Sequence, residues 1–322
     1  MKIKVFCNDH SRIQTINEKN NNYKYGYYCF NDVVVEIKEN EIVLYNIDKL
    51  YNHQQFKYKS VCQIPQKSIK NLNKAALLHC LYRDIYFHWL YDLLPQLKIK
   101  EIYSDISIIT APLIENNKYQ KDSLNAFFKG INLLSEENIY RIKKLFIPIN
   151  TTNSLMPHQF SFDFLKKRTQ FLSGGHKNLK IYISRKKFKR SIINENALMY
   201  FLNIKGFKIY HLEDLSFTDQ VILFKNCNII ISPHGSGLSN IVFCKPKTVV
   251  LEIYGPGCGE RCFAKISKAT GLNYRALEVN EISYKSYIHR IYYNFFSKKE
   301  RFDFRINIKS FSKNFYKYIG NV

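Results

Sequence analysis

The sequence predicts an α/β protein of two domains, the C-terminal one a doubly wound parallel sheet. Three observations indicate this class. The chain has 322 residues, a length that suits two domains of roughly 150 residues each. In the second half, short apolar runs alternate with segments of helical periodicity. These apolar runs are continuous rather than alternating, which is typical of parallel strands covered by helices on both faces.

The C-terminal elements follow one another through short connections. Strands are predicted at 181–184, 207–210, 228–232, 248–253 and 274–279. Helices are predicted at 194–202, 216–224, 235–243, 260–270 and 284–297. Asn194 is a predicted N-cap, and Ser216 with Asp219 forms a predicted capping box. Gly206 and Gly271 are predicted to end the helices before them.

The N-terminal half is predicted to begin with short strands, including a hairpin from Val33–Ile37 to Ile42–Tyr45. Helical spacing and a following proline predict one long helix at 74–94. Further elements are predicted at 106–110 (strand), 119–129 (helix) and 145–147 (strand). No run reaches the roughly 18–20 uncharged apolar residues of a membrane span, and the N-terminus lacks the apolar segment of a signal peptide.

The domain boundary is predicted near Gly174, where Ser, Gly and Pro accumulate. The N-terminal domain then covers 1–172 and the C-terminal domain 173–297. The remaining segment, 298–322, is basic and aromatic, and we expect it to return to the N-terminal domain.

The chain is strongly basic, with 49 Lys and Arg against 26 Asp and Glu, a formal net charge of +23. Such a field attracts phosphates, anionic lipids, acidic glycans and nucleic acid, so charge alone does not choose among them. The eight cysteines include no C-x-x-C, and the C-x3-C pair Cys258 and Cys262 has no second pair to complete a zinc site. We therefore expect reduced thiols and a cytosolic compartment.

The strongest local motif is the run Pro-His-Gly-Ser-Gly-Leu-Ser-Asn at 233–240, where an apolar strand leads into a helix. Glycines let the backbone approach a ligand, and the free amides of a helix start attract phosphate. The run is neither a nucleophile elbow nor a Walker loop. The predicted phosphate contacts are His234, Gly235, Ser236, Gly237, Leu238 and Asn240.

Residues at the ends of two other predicted strands extend this site. Ser184 and Arg185 follow the strand at 181–184, so a parallel sheet brings them to the same edge as His234. The planar fork of Arg185 suits bidentate contact with a diphosphate. Glu252 is the predicted ribose contact, with Glu213 and Asp214 as weaker candidates.

His88 and Asp92 are spaced i, i+4, which places them on one face of a helix. A histidine beside a carboxylate is a plausible general base with its orienting partner, but also a common structural pair. No D-x-D occurs in the chain. This absence favours neutralisation of a diphosphate by basic side chains and helix dipoles rather than by a metal.

These residues together resemble glycosyltransferase family 61. The resemblance runs from Ile181 to about Ile253 and includes the Ser-Arg-Lys turn, the Pro-His-Gly-Ser-Gly run and Glu252. In the N-terminal half, His88 to Pro95 resembles the family's His-x-x-x-Asp-x-x-Pro element. The resemblance implies a GT-B architecture of two Rossmann-like domains facing across a cleft. It also implies inverting transfer from a nucleotide-activated sugar without an essential metal or other cofactor.

Under this resemblance the C-terminal domain binds the nucleotide-sugar and the N-terminal domain binds a glycan or lipid-linked glycan acceptor. His88 or Asp92 then takes the proton of the acceptor hydroxyl. The family serves eukaryotic glycoprotein and wall-glycan synthesis as well as bacterial capsule or lipopolysaccharide synthesis. The Lys-, Asn- and Ile-rich composition favours a bacterial surface polysaccharide. We expect a cytoplasmic protein in peripheral contact with the anionic inner face of the cytoplasmic membrane.

Three alternatives remain at this stage. The charge and the aromatics fit a nucleic-acid-binding protein, but no recognised nucleic-acid motif occurs. A Rossmann oxidoreductase would need G-x-G-x-x-G, and Asn240 stands where the third glycine should be. An inactive family member could bind a nucleotide and act as a scaffold.

Overall fold

The computed structural model describes residues 2–7, 14–20, 23–38, 41–47, 56–59, 64, 68–80, 82–111, 113, 117–148, 156–188, 190–256, 261–279 and 303–319. The chain divides into two compact units, Met1–Leu165 and Lys166–Val322. Each unit has its own sheet, which confirms the predicted mixed α/β class. Among the described helices, none has the length and apolarity needed to cross a membrane.

The first unit contains a mixed sheet in which the described residues supply nine strands. These strands are β1 (Lys2–Cys7), β2 (Gln14–Asn20), β3 (Tyr23–Ile37), β4 (Glu41–Ile47), β5 (Phe56–Lys59), β6 (Lys70–Leu77), β7 (Ser107–Ile109), β8 (Leu133–Leu134) and β9 (Asn138–Pro148). Their order is β5-β1-β4-β3-β9-β6-β7-β8, with β2 also paired to β3. The pairs of β3 with β2, β4 and β9 are antiparallel, and the other pairs are parallel.

Several predicted elements of this unit are confirmed. The hairpin joins β3 to β4, with Val34 opposite Tyr45 and Ile37 opposite Ile42. The predicted strand at 106–110 is β7, and the run at 145–147 belongs to the longer strand β9. The helices are α1 (Tyr86–His88), α2 (Ile99–Ile102), α3 (Lys118–Phe127) and α4 (Gln159–Thr169).

The predicted helix at 74–94 is wrong in its first half. Residues Lys70–Leu77 form strand β6, which pairs in parallel with β9 on one side and β7 on the other. Ala75, Ala76 and Leu77 are fully buried there. A short, continuous apolar run fits a buried strand as well as a buried helix, and periodicity alone does not separate the two.

Helical structure begins only at Tyr86 and is not uniform. After α1 the chain forms a π-helical turn at Trp89–Leu93 and a 3₁₀ helix at Leu94–Lys98, and then α2. Pro95 occupies the first turn of the 3₁₀ helix, where its missing amide hydrogen costs little.

The second unit contains a parallel sheet whose strands alternate with helices along the chain, as predicted. Among the described residues it has five strands, β10 (Leu179–Ile183), β11 (Lys208–Tyr210), β12 (Cys227–Pro233), β13 (Val249–Tyr254) and β14 (Asn273–Glu278). Their order is β11-β10-β12-β13-β14, and every pair is parallel. Its helices are α5 (Glu195–Ile204), α6 (Phe217–Lys225), α7 (Cys262–Thr270), α8 (Ile308–Lys313) and α9 (Phe315–Ile319).

Most helix ends lie where the sequence predicts them. The Ser216 hydroxyl accepts from the Asp219 amide at 3.1 Å and caps α6. Gly206 and Gly271 adopt φ values of 80° and 73° after α5 and α7, a conformation that favours glycine. The segment predicted to be a helix at 235–243 is a 3₁₀ helix, Ser236–Phe243. The helix predicted at 284–297 lies outside the described residues.

Asn194 precedes α5 as predicted, but its side chain does not cap the helix. Its amide nitrogen donates to the Ile306 carbonyl at 2.7 Å, and its oxygen accepts from the Ile306 amide at 3.0 Å. Sequence reasoning could not anticipate this pairing because the two residues are far apart in the chain. The side chain of Asn194 thus ties the C-terminal tail to the start of α5.

The described part of the basic tail packs within the second unit, whereas the sequence predicted that it returns to the N-terminal domain. Five apolar side chains of the tail join the core formed by α5, β12 and β13, namely Phe304, Ile306, Phe311, Phe315 and Ile319. The burial of these side chains provides the driving force, since the charged residues of α8 and α9 remain on the outside.

This packing predicts a strong stability effect. Phe315→Ala should lower the free energy of unfolding by about 3–5 kcal/mol, because it opens a cavity in a buried cluster. Tyr200→Ala, at a side chain 72% exposed on α5, should change it by no more than about 0.5 kcal/mol. Urea unfolding followed by far-ultraviolet circular dichroism distinguishes the two variants, and equal effects would contradict this placement of the tail.

Candidate functional site

The strand order of the second unit marks where a ligand should bind. From β10 the chain continues to β11, which neighbours β10 towards one edge of the sheet. From β12 it continues to β13, which neighbours β12 towards the opposite edge. β10 and β12 are therefore adjacent strands whose connections run in opposite directions. In open parallel sheets of this kind, ligands bind beyond the carboxyl ends of the strands at such a reversal point.

The two turns at this point meet as the sequence predicts. Ser184 and Arg185 follow β10, and His234 and Gly235 follow β12. A Cβ atom added to Gly235 would collide with the Arg185 guanidinium, so that group lies directly against the Gly235 backbone. A cation and the start of the 3₁₀ helix thus share one small area of the sheet edge.

A buried carboxylate, Glu195, fixes the turn that carries Arg185. Its two oxygens accept from the Tyr182 hydroxyl at 2.7 Å, the Ser184 hydroxyl at 3.1 Å and the Arg185 amide at 3.2 Å. Burial, followed by the charge of Glu195, raises the pKa of Tyr182, which keeps its hydroxyl protonated as a donor. Sequence reasoning did not predict this role, since an acidic residue in the first turn of a helix is common.

Arg185 itself is half-buried, and its guanidinium lies 5.7 Å from the Phe188 ring centroid. Its neighbour Lys187 is exposed and forms ion pairs with Asp214 at 2.9 Å and Glu213 at 3.6 Å. Lys187 is therefore engaged with these acids, which the sequence offered as weaker ribose contacts. Arg185 is the cation of this turn that lies against the glycine loop.

His234 is held by a buried hydrogen-bond network. Its Nδ1 lies 2.5 Å from Glu252 Oε1, and its ring stacks on Tyr254 with centroids 5.3 Å apart. The other oxygen of Glu252 accepts from the Tyr254 hydroxyl at 2.9 Å and the Tyr274 hydroxyl at 2.6 Å. Burial, and then the Glu252 charge, raises the pKa of both phenols, so both remain hydrogen-bond donors.

The position of Glu252 differs from the predicted one. It lies within β13 rather than at its tip, its side chain is fully buried, and both its oxygens accept bonds from the protein. Tyr254 and Tyr274, which sequence reasoning missed, supply two of those bonds. Both oxygens of Glu252 are therefore engaged, one with His234 and the other with the two tyrosines.

The loop after His234 is also supported from within. Asn240 is fully buried, and its amide donates to Gln220 Oε1 at 2.9 Å and to the Gly237 carbonyl at 3.2 Å. The Leu238 amide donates to the Gly235 carbonyl at 3.0 Å, which closes the first turn of the 3₁₀ helix. The amides of Ser236 and Gly237 come before the first hydrogen bond of this helix, so they donate to no carbonyl within it. The predicted donor contacts of Ser184, Leu238 and Asn240 stay predictions.

The second candidate pair lies in the first unit. His88 ends α1 and Asp92 lies in the π-helical turn, and His88 Nδ1 is 2.6 Å from Asp92 Oδ2. π-helical turns are rare and are often found at functional sites. Gln96 fixes this turn, because its Nε2 donates to the Asp92 carbonyl at 2.8 Å and to the His79 carbonyl at 2.9 Å.

The surroundings of this pair are partly apolar. Burial raises the pKa of Asp92, and the hydrogen bond and charge of His88 oppose that shift. Burial lowers the pKa of His158, whose charge interacts with Asp92. The Cys80 thiol lies 4.0 Å from Asp92 Oδ2. Cys80 and His158 were not predicted as neighbours of Asp92, because neither is close to it in the chain.

Both candidate sites lie in a region that resembles known proteins. The family model of Glycosyltransferase 61 matches residues 86–251, just over half of the 322 residues. The chain belongs to glycosyltransferase family 61. The matched region of this family 61 member includes His88, Asp92, Arg185 and His234, and therefore both candidate sites.

Curated relatives of this family 61 chain match over shorter stretches. An EGF domain-specific O-linked N-acetylglucosamine transferase of Bos taurus is 33% identical over 91 residues, which cover 26% of this chain and 17% of the relative. The protein of that name from Drosophila melanogaster is 28% identical over 107 residues, 32% of this chain and 20% of the relative. A Beta-1,2-xylosyltransferase of Arabidopsis thaliana is 35% identical over 68 residues, 21% of this chain and 13% of the relative. The chain therefore spans a fifth or less of the length of these relatives.

The role of Glu195 gives a direct test. Glu195→Ala should lower the free energy of unfolding by at least about 1–3 kcal/mol, because buried donors of Tyr182 and Ser184 lose their acceptor. Glu278→Ala removes an exposed ion pair with Arg261 and should cost no more than about 1 kcal/mol. Urea unfolding of both variants decides the point, and an equal cost would show that Glu195 does not organise the turn.

Proposed function

We propose that this family 61 member transfers a sugar from a nucleotide-activated donor to a hydroxyl of a glycan acceptor. The transfer inverts the configuration at the anomeric carbon and needs no essential metal. The observation that carries the proposal is the contact of the Arg185 guanidinium with the Gly235 backbone at the reversal point of the sheet, beside His234. The match to the family supports it independently.

The donor side must neutralise the diphosphate that leaves. Arg185 offers a planar set of donors for two phosphate oxygens, and the amides of Ser236 and Gly237 open a helix that points at the same area. Such preorganised donors stabilise the charge that develops on the leaving group. Because these groups can neutralise the diphosphate themselves, the proposal requires no metal, in line with the absence of D-x-D from the sequence.

His234 adds a second donor to the diphosphate in this proposal. Its Nδ1 is engaged with Glu252, so a phosphate contact would use Nε2. In this proposal the Nε2–H of His234 donates to a phosphate oxygen. We accordingly propose that Glu252 supports His234 and that it does not bind the ribose.

On the acceptor side, His88 and Asp92 supply the base. The acceptor oxygen bonds to the anomeric carbon as the bond from that carbon to the phosphate oxygen breaks, and the hydroxyl proton passes to the base. We propose His88 as that base, acting through Nε2, because Asp92 already contacts Nδ1 and is the more buried partner. Asp92 then orients the ring and stabilises its charge.

The donor sugar, the product and the cellular compartment are proposed from the names of the relatives, the composition and the cysteines. The relatives are named for the transfer of N-acetylglucosamine and of xylose, so activated forms of these sugars are the first donors to test. The composition and the charge of +23 favour a surface polysaccharide, capsule or lipopolysaccharide, assembled at an anionic membrane face. Five described cysteines are free and buried, which fits a reducing cytoplasm.

Nucleotide binding is the first test. Uridine, cytidine, guanosine and adenosine diphosphates and their sugars are compared in thermal unfolding, with and without EDTA. Nucleotides with one particular nucleobase should raise the midpoint of thermal unfolding with or without EDTA. A ligand at a hundredfold excess over its Kd stabilises the native state by about 2.7 kcal/mol. Arg185→Ala should abolish the shift, whereas Lys187→Ala, at a cation paired with Asp214, should preserve it.

A second variant tests the geometry of this contact. Gly235→Ala should weaken nucleotide binding as Arg185→Ala does, because the new methyl group displaces the guanidinium while the extended backbone tolerates alanine. Absence of any nucleotide effect, together with tight and salt-sensitive binding of nucleic acid, would instead favour the nucleic-acid-binding alternative.

The base is tested by turnover. His88→Ala and Asp92→Asn should lower the transfer rate by about 10²–10⁴-fold, because the acceptor proton loses its base, while nucleotide binding persists. Asp84→Asn, at an exposed carboxylate paired with Arg83, serves as the control and should keep the wild-type rate. Unchanged turnover in both site variants would reject the pair, and nucleotide binding without any transfer by the wild-type protein would favour an inactive scaffold.

A further inference from the structure

A third side chain with metal-ligand chemistry stands beside the histidine–aspartate pair. Cys80 follows strand β6 and is buried, and its Sγ lies 4.0 Å from Asp92 Oδ2. His88 Nδ1 approaches the same oxygen at 2.6 Å. One ligand atom from each of Cys80, His88 and Asp92 can be chosen so that all three lie within 4.8 Å of one another.

The spacing of these atoms fits a tetrahedral cation after small movements. Bonds of about 2.0–2.3 Å from zinc to oxygen, nitrogen and sulfur imply ligand-to-ligand distances of roughly 3.3–3.7 Å. The observed separations, 4.0 Å between sulfur and oxygen and 2.6 Å between nitrogen and oxygen, lie on either side of that range. A cation would therefore draw the sulfur closer and separate the hydrogen-bonded pair.

The charges of the three ligands also balance that of a divalent cation. A thiolate, a carboxylate and a neutral imidazole around a divalent cation have no net charge, which suits a partly buried site. Sulfur and imidazole ligands favour a borderline-soft ion such as Zn²⁺ over Mg²⁺ or Ca²⁺. Three protein ligands also leave a fourth position for water, as in zinc sites that are not closed by the protein.

We propose that Cys80, His88 and Asp92 form a binding site for Zn²⁺ or a closely similar divalent cation. Binding forms metal–sulfur, metal–nitrogen and metal–oxygen bonds, and the thiol proton with any proton on His88 Nδ1 passes to solvent. Gln96 donates to the Asp92 carbonyl and so holds the backbone of the π-helical turn, which fixes the spacing of the two ligands His88 and Asp92. The consequence for activity rests on the proposed function: an occupied site would engage the acceptor base and inhibit transfer.

Cobalt(II) is the probe, because it binds to zinc sites and shows a charge-transfer absorption band when sulfur is a ligand. The full chain is freed of metal with a chelator and titrated with Co²⁺. We expect one equivalent to produce a sulfur-to-cobalt band that Zn²⁺ abolishes by displacement. Cys80→Ala and Cys80→Ser should lose the band, whereas Cys29→Ala, at a buried cysteine of strand β3, should keep it.

Two outcomes overturn the site: no band in the wild-type protein, or a band that persists in both Cys80 variants with native circular dichroism. Activity with and without Zn²⁺ separates this inference from the proposed function. Transfer that stops as the site fills and returns with chelator supports both. A Cys80-dependent band with full transfer at saturation supports the cation site and rejects His88 and Asp92 as the base.

Discussion

Parallel pairing of β10 with β12 is the constraint on which the proposed donor site depends. Backbone hydrogen bonds between the two strands bring both carboxyl ends to one edge, and no other contact needs to carry Arg185 and His234 together. The reversal of connections at this pair leaves the edge uncovered by a crossover, which is why such points bind ligands across unrelated sheets. The contact of Arg185 with Gly235 is the local consequence, since glycine alone leaves room for the guanidinium.

Two buried carboxylates convert that edge into a preorganised site. Glu195 accepts from the turn that bears Arg185, and Glu252 accepts from His234 and two tyrosines. A buried charge is costly unless hydrogen bonds satisfy it, so each carboxylate specifies one arrangement of its neighbours. If a diphosphate binds here as proposed, the groups that contact it need little rearrangement, and such preorganisation is the main source of electrostatic stabilisation in sites of this kind.

The histidine–aspartate pair follows a different logic. His88 and Asp92 lie on one irregular helical segment, so local geometry brings them together, and the hydrogen bonds of Gln96 hold that segment. Cys80 reaches the pair only because strand β6 ends beside it. The proposed proton transfer and the proposed cation site both use His88 and Asp92, and they conflict, because proton transfer keeps Nδ1 hydrogen-bonded to Asp92 whereas a cation takes both groups as ligands.

The sequence by itself determined the α/β class, the alternation of the second unit and the shared edge of Arg185 with His234, because parallel strands, short connections and glycine turns leave local signals. It failed in the first part of the helix predicted at 74–94, because the short apolar run Ala75–Leu77 fits a helix or a strand equally until neighbouring strands pair with it. Only the tertiary structure decided that Glu252 supports His234 and that the tail packs against α5. Both depend on contacts between residues distant in the chain, and such contacts leave no periodic pattern in a single sequence.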